Sequence, residues 1–271
     1  MPLNVEVRGD GPPLVLLHGF TQTALLWGAF GDLLASEHTL IAVDLPGHGG
    51  SSDVRADLPT AATLVHEAVT AVIGAEPCDL LGYSLGARIA LHVLLGTSLE
   101  LRNVVVIGAT AGIEDTGVRE ARRAADDATA DALEASGNVD EFIVQWLRAP
   151  MFRQLGPDAG AEERRRNSAG GLVSSLRLEG AGTQEPLWDR LSTADVPVLA
   201  LAGTDDARFA AHALRIASVV PHGAASLIPG GGHAVHLAQP RVTWRLVHHW
   251  LSRPHQEEAN RQEPTDSQLQ A

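Results

Sequence analysis

Short apolar runs alternate with longer stretches of helical periodicity along most of this chain. The runs near residues 4–7, 14–17, 40–43, 79–81, 104–107, 198–201 and 225–228 read as strands. Strands that alternate with helical patterns predict a parallel sheet wrapped on both faces. The expectation is an α/β fold with a mostly parallel, twisted sheet of seven or eight strands, the short N-terminus leaving one edge strand missing. Between 112 and 191 the pattern changes to charged helices, clearest at 119–136, 139–148 and 162–178. They predict a helical cap (112–191) inserted into a core formed by 1–111 and 192–252. The stretch 253–271 is polar, rich in Gln and Glu and without periodicity, which predicts a disordered tail.

Composition narrows the function classes. A chain of 271 residues with 45% hydrophobic content can bury a substantial single core. A net charge of −13 argues against a nucleic-acid partner, because neutralising phosphates needs clustered basic surface. No apolar run approaches a membrane span, and the polar start predicts no signal peptide. The single cysteine, Cys78, cannot form an internal disulfide and fits a cytoplasmic location. The histidines show no zinc-type ligand spacing, so neither metal nor cofactor is expected.

The chemistry begins at Gly82-Tyr83-Ser84-Leu85-Gly86, which joins the run 79–81 to a helical pattern. Gly-x-Ser-x-Gly between strand and helix reads as a nucleophile elbow, a sharp turn that exposes the Ser84 hydroxyl above the sheet. Such architectures place nucleophile, acid and histidine in that chain order. The strand 198–201 leads into Thr204-Asp205-Asp206, where Asp206 is the preferred acid and Asp205 its competitor. The strand 225–228 leads into Gly230-Gly231-Gly232-His233, where His233 is the candidate base and His236 the weaker one. An imidazole takes the serine proton, and a carboxylate fixes the imidazole's tautomer. After the strand 14–17, His18-Gly19-Phe20 reads as an oxyanion loop, with donors expected from the backbone N–H groups of Phe20 and Leu85. His18 and the turn 44–52 are read as structural.

Arginine separates this chain from a generic hydrolase. Arg88 lies one helical turn beyond Ser84 on the same face and can point at a ligand. Arg119, Arg122 and Arg166 lie on the expected cap helices. Guanidinium groups grip carboxylates bidentately, so this set predicts a small substrate with several carboxylates. Ordinary ion pairing, such as Arg122 with Asp126, is the competing reading, and it is preferred for Arg164 and Arg165.

These motifs, with Asp44-Leu45-Pro46-Gly47-His48-Gly49, Trp146, Gly180-Ala181-Gly182-Thr183-Gln184, Leu187-Trp188 and Gly203-Thr204-Asp205-Asp206-Ala207-Arg208-Phe209, make the chain similar to one family. It resembles the 2-succinyl-6-hydroxy-2,4-cyclohexadiene-1-carboxylate synthases of menaquinone (vitamin K2) biosynthesis, within the α/β-hydrolase superfamily. The resemblance covers nearly all of the chain before the tail, and its last motif selects Asp206 over Asp205. It implies a lyase that eliminates pyruvate, with Ser84, His233 and Asp206 catalytic. It further implies that Arg88, Arg119, Arg122 and Arg166 hold carboxylates and that Tyr83 and Trp146 line the pocket. Ala87 stands where a glycine is usual, and the His233 loop is richer in glycine and histidine than the family pattern. Other readings are a carboxylesterase or C–C bond hydrolase, and a non-catalytic ligand receptor. A basic pocket favours the synthase, an apolar cleft the esterase.

Overall fold

The apolar runs become the strands of one seven-stranded sheet. The computed structural model describes residues 2–156 and 159–253, so the expected tail beyond Arg253 lies outside the described residues. The strands are β1 (Val5–Arg8), β2 (Pro13–Leu17), β3 (Thr39–Val43), β4 (Cys78–Tyr83), β5 (Leu101–Ile107), β6 (Val198–Gly203) and β7 (Gly223–Ile228). They lie in the order β1-β3-β2-β4-β5-β6-β7, with β1 antiparallel to β3 and every other pair parallel. Parallel neighbours require crossover connections, and helices supply them.

The helices are α1 (Gly28–Ala35), α2 (Leu58–Ile73), α3 (Leu85–Gly96), α4 (Thr116–Ser136), α5 (Val139–Leu147), α6 (Ala161–Arg164), α7 (Ala169–Glu179), α8 (Trp188–Leu191), α9 (Ala207–Val219), α10 (Val235–Ala238) and α11 (Pro240–Leu251). On one face Phe30 and Leu34 of α1 and Val247 and Trp250 of α11 cover Leu14, Leu16 and Leu81. On the other, Val65, Ile89 and Ile216 from α2, α3 and α9 cover Val15, Leu17 and Leu80. Successive residues of β2 and β4 thus enter opposite cores, which is why these strands are apolar at nearly every position instead of alternating. Each fully buried aliphatic side chain contributes roughly 1.5–3 kcal/mol, so the sheet carries most of the stability and can hold a strained site.

Between β5 and β6 the chain makes a helical excursion, α4 to α8. There α4 and α7 share a small core of Ala130, Leu133, Leu172, Val173 and Leu176. The single helix expected at 162–178 is two helices: α6 ends at Arg164 and α7 begins at Ala169. The break has a local cause. Ser168 caps α7 by accepting from the Gly171 N–H at 3.0 Å, and the Asn167 amide donates to the Arg164 carbonyl at 2.8 Å. The expected limit of the cap at 191 also needs adjusting, because Leu187, Trp188 and Leu191 pack into the main core and the Trp188 indole donates to the Gly112 carbonyl at 3.0 Å.

Strand order reverses around β2, so the C-terminal ends of β2 and β4 lie side by side. Open α/β sheets bind ligands at such a point, because the connections leave in opposite directions and open a crevice.

Candidate active site

Ser84 lies between the end of β4 and the start of α3, with φ at 52°, a left-handed conformation that costs a residue with a Cβ roughly 1–3 kcal/mol. Its neighbours fix it there. The Ser84 N–H donates to the Ile107 carbonyl and the Gly86 N–H to the His18 carbonyl, both at 2.9 Å. A Cβ at Gly86 would collide with the Leu17 carbonyl and one at Gly82 with the Gly86 carbonyl, so glycine is required for this crossing. The turn brings the Ser84 side chain to the wall of a cavity of about 280 Å³.

Loops from two further strands meet it. His233, after β7, places Nε2 2.9 Å from Ser84 Oγ, although 149 positions separate the two residues in the chain. Its Nδ1 lies 2.8 Å from Oδ2 of Asp206, which follows β6. A carboxylate only accepts, so Nδ1 carries the proton and Nε2 is free to accept from the serine hydroxyl. Asp205 faces away, to Arg153 at 3.3 Å and Gln154 at 3.0 Å. His236 is fully buried, packed against the Tyr83 ring at a centroid distance of 4.3 Å, with neither ring nitrogen partnered among the described residues. Burial, with His233 nearby, depresses its pKa to about 3, so it is a neutral packing element.

Among the described residues, neither the Phe20 nor the Leu85 N–H has a hydrogen-bond acceptor. Leu85 opens α3, where helix geometry leaves the first N–H groups unpaired and the helix dipole is positive. The Phe20 loop is held by two buried histidines. The Leu45 N–H donates to His18 Nε2 at 3.1 Å, so His18 Nδ1 donates to the Gly19 carbonyl at 2.9 Å. His48 is arranged alike, accepting from Thr21 and donating to Pro46. Burial lowers both pKa values, His48 to about 3, so both rings work as neutral braces.

The predicted binding residues divide. Arg88, Arg122 and Trp146 line the cavity with Phe20, Leu85 and the three residues just described. Arg88 is buried deeply enough to pull its pKa down to about 10, and Nη1 donates to the Glu179 carbonyl at 2.6 Å. Arg122 pairs through Nε with both oxygens of Asp126, at 2.9 and 3.0 Å, while still facing the cavity. Arg119, Arg166 and Tyr83 do not line it. Arg119 turns back on the carbonyl oxygens of Ile113 and Glu114, closing the loop before α4. Arg166 follows the end of α6, points to solvent with 58% of its side chain exposed, and pairs with Glu163 at 3.0 Å. Tyr83 is sent to the α1/α11 face by the alternation of β4, where it packs under His233.

Arg164, read from sequence as a surface ion-pair residue, is instead 1% exposed. It donates to the Thr21 hydroxyl and, at 3.0 Å, to the Ala159 carbonyl. Asn167 beside it donates to the Thr21 carbonyl at 2.8 Å and accepts from the Gly49 N–H at 3.0 Å. The excursion therefore grips the loop that carries Phe20. Sequence reading also missed Arg208, Glu179 and Asp126 as cavity residues. Arg208 sat inside a quoted motif, whereas nothing in the sequence distinguishes Glu179 from a surface carboxylate. More of the cavity wall is apolar than polar, with Phe20, Trp146 and Phe209 supplying aromatic faces and Arg88, Arg122 and Arg208 the cationic ones.

Comparison with known proteins places the fold in a family. Residues 14–246 match the "Alpha/beta hydrolase family". The chain is 31% identical over 235 residues to a 2-succinyl-6-hydroxy-2,4-cyclohexadiene-1-carboxylate synthase of Klebsiella pneumoniae, covering 84% of this chain and 89% of that one. It is 30% identical over 251 residues to the protein of the same name from Serratia proteamaculans, covering 91% and 96%. Among solved structures, MenH from S. aureus superposes with a TM-score of 0.83 at 26% identity, over 92% of this chain and 97% of that one. An esterase from Thermogutta terrifontis, at 22% identity and a TM-score of 0.78 over 93% and 94%, shares the fold.

Proposed function

The chain belongs to the alpha/beta hydrolase family, among the 2-succinyl-6-hydroxy-2,4-cyclohexadiene-1-carboxylate synthases, and from that membership we propose that it is a carbon–oxygen lyase. In this reading it eliminates pyruvate from 2-succinyl-5-enolpyruvyl-6-hydroxy-3-cyclohexene-1-carboxylate to give 2-succinyl-6-hydroxy-2,4-cyclohexadiene-1-carboxylate. The observation that carries the reading is the meeting of guanidinium groups and an imidazole-activated serine in one cavity.

His233 draws the Ser84 proton as Ser84 Oγ removes a ring proton, and Asp206 stabilises the imidazolium that results. The C–H electron pair forms a new ring double bond, the existing ring double bond shifts along by one position to expel the enolpyruvyl oxygen, and the departing enolpyruvate takes up a proton to become pyruvate. No water is consumed. Charge that develops on the substrate faces the N–H groups of Phe20 and Leu85, which need no reorganisation to receive it. Arg88, Arg122 and Arg208 bind the carboxylates, and the apolar walls take the ring. The excursion acts as the cap over this cavity. The substrate is a small tricarboxylate, and we place the reaction in the cytoplasm; among the described residues no helix is long and apolar enough to cross a membrane.

The mostly apolar wall favours a second reading, a serine esterase that would acylate Ser84. One assay separates the two: purified protein is given the enolpyruvyl precursor and p-nitrophenyl esters side by side, following pyruvate and the conjugated diene. The lyase reading expects strong preference for the precursor and a loss of on the order of 10³-fold or more in Ser84→Ala, with unchanged circular dichroism. Preference for the esters, or full turnover by the variant, would overturn it.

A further inference from the structure

Glu179 is the last residue of α7, and it lines the cavity with 1% of its surface exposed. Neither carboxyl oxygen has a hydrogen-bond partner among the described residues, and the Ser175 hydroxyl, one turn earlier, has none either. Arg88 passes close by, yet its Nη1 bonds the backbone carbonyl of Glu179, not the carboxyl group. Leaving a buried polar group without a partner is costly, and more so if it is charged, so a carboxyl group of this kind in a cavity wall is suited to pair with a ligand.

The surroundings decide its charge. Arg88 faces it from α3, Asp126 of α4 approaches at Gly180, and Asp57, before α2, acts on it from further off. Arg122 is occupied by Asp126, and burial, with Arg88 and Arg190 acting on it against Asp57, depresses the pKa of His92 of α3 to about 4, so it is neutral. The helix dipole at the carbonyl end of α7 also opposes a negative charge. Burial wins over the pull of the Ser175 hydroxyl, which lies near the carboxyl without a well-formed hydrogen bond, and over the attraction of Arg88, and pushes the carboxyl up to about 8.

We propose that Glu179 stands in the cavity as a neutral carboxylic acid whose O–H donates a hydrogen bond to a carboxylate of the bound substrate, beside Arg88. The assignment rests on the anionic substrate inferred above and adds a specificity-determining group to it. A neutral acid satisfies one carboxylate oxygen without cancelling the charge on Arg88. An ionised Glu179 would do the opposite: it would neutralise Arg88 and repel the ligand. Substrate affinity should therefore fall as pH rises through the Glu179 transition, while the chemical step at Ser84 is spared.

Two measurements test this. Infrared difference spectra between wild type and Glu179→Gln, on resting protein, should show a protonated-acid carbonyl band at pH 7 that fades above about pH 8; a band of the ionised form alone at pH 7 overturns the proposal. Steady-state kinetics with the enolpyruvyl precursor should show wild-type KM rising about tenfold between pH 7 and 9, whereas Glu179→Gln, which keeps a donor but does not titrate, stays flat near the wild-type pH 7 value. Glu179→Met, which has no donor, should raise KM at both pH values by about tenfold with kcat within about twofold of wild type. An alkaline rise in KM that persists in Glu179→Gln, or an unchanged KM in folded Glu179→Met, overturns it. Should Glu179→Met not fold, the Glu179→Gln profile decides. A wild type that releases no pyruvate would sink the reaction itself, and the infrared band would still judge Glu179.

Discussion

Arg88 and Arg166 carry the same side chain to opposite environments. Arg88 sits one turn into α3, and the strained elbow that exposes Ser84 also aims the first turn of that helix at the cavity. Arg166 follows a four-residue helix and faces solvent on Glu163. Replacing Arg88 by Met should raise KM for the precursor on the order of tenfold to a hundredfold, the worth of a desolvated charge-assisted pair. Arg166→Ala, which loses only an exposed ion pair, should leave kcat/KM within about twofold and stability within about 0.5 kcal/mol. A large kinetic loss in Arg166→Ala would show that the segment moves inward when substrate binds. Residue type told that guanidinium groups were present in the right segments; direction depended on where each helix ended.

The break between α6 and α7 shows why an element's boundaries matter to chemistry. From periodicity alone 162–178 reads as continuous, because the Asn167 and Ser168 side chains do not interrupt the pattern. In the folded chain these side chains replace helix hydrogen bonds with contacts to Thr21, Gly49 and Gly171. Thr21 has a φ of 67° and adjoins Phe20, so the excursion fixes the geometry of one proposed oxyanion donor. Asn167→Ala should cost about 1–3 kcal/mol in urea unfolding and lower kcat more than it changes KM. If stability falls while kcat does not, the contact is structural only. The elbow is tested separately: Gly86→Ala forces a Cβ into the Leu17 carbonyl and should destabilise the centre of the sheet, seen as a lower urea midpoint.

At the scale of the molecule, buried histidines govern the response to acid. His48 and His236 have folded pKa values of about 3, and His18 is lowered as well, all by burial. In the unfolded chain each returns to about 6.5. Below that pH the unfolded state binds protons that the folded state refuses, so stability present above about 6.5 is lost as pH falls toward 3. Each histidine contributes a slope approaching about 1.4 kcal/mol per pH unit. Glu179, raised to about 8, acts in the other direction, losing stability as pH rises from about 4.5 to about 8, but it is one group against these three histidines and His92, lowered to about 4 by burial. Urea midpoints measured at pH 7 and pH 5 should show the protein weaker at pH 5; a protein more stable at pH 5 would contradict this balance.

Order along the chain was enough to reveal the sheet, the elbow and the sequence of serine, carboxylate and histidine. Those features are local: an apolar run buries itself on both faces, and a Gly-x-Ser-x-Gly turn needs only its own small residues. Tertiary structure alone decided which charges face the cavity, why Arg164 is buried, and that Glu179 lies unpartnered in the wall. Each of these depends on residues far apart in the chain, such as Thr21 with Arg164 or Arg88 with Glu179. A charged side chain has nearly the same local preferences whether it ends in water or in a pocket; only the packed neighbours that remove the water make the difference.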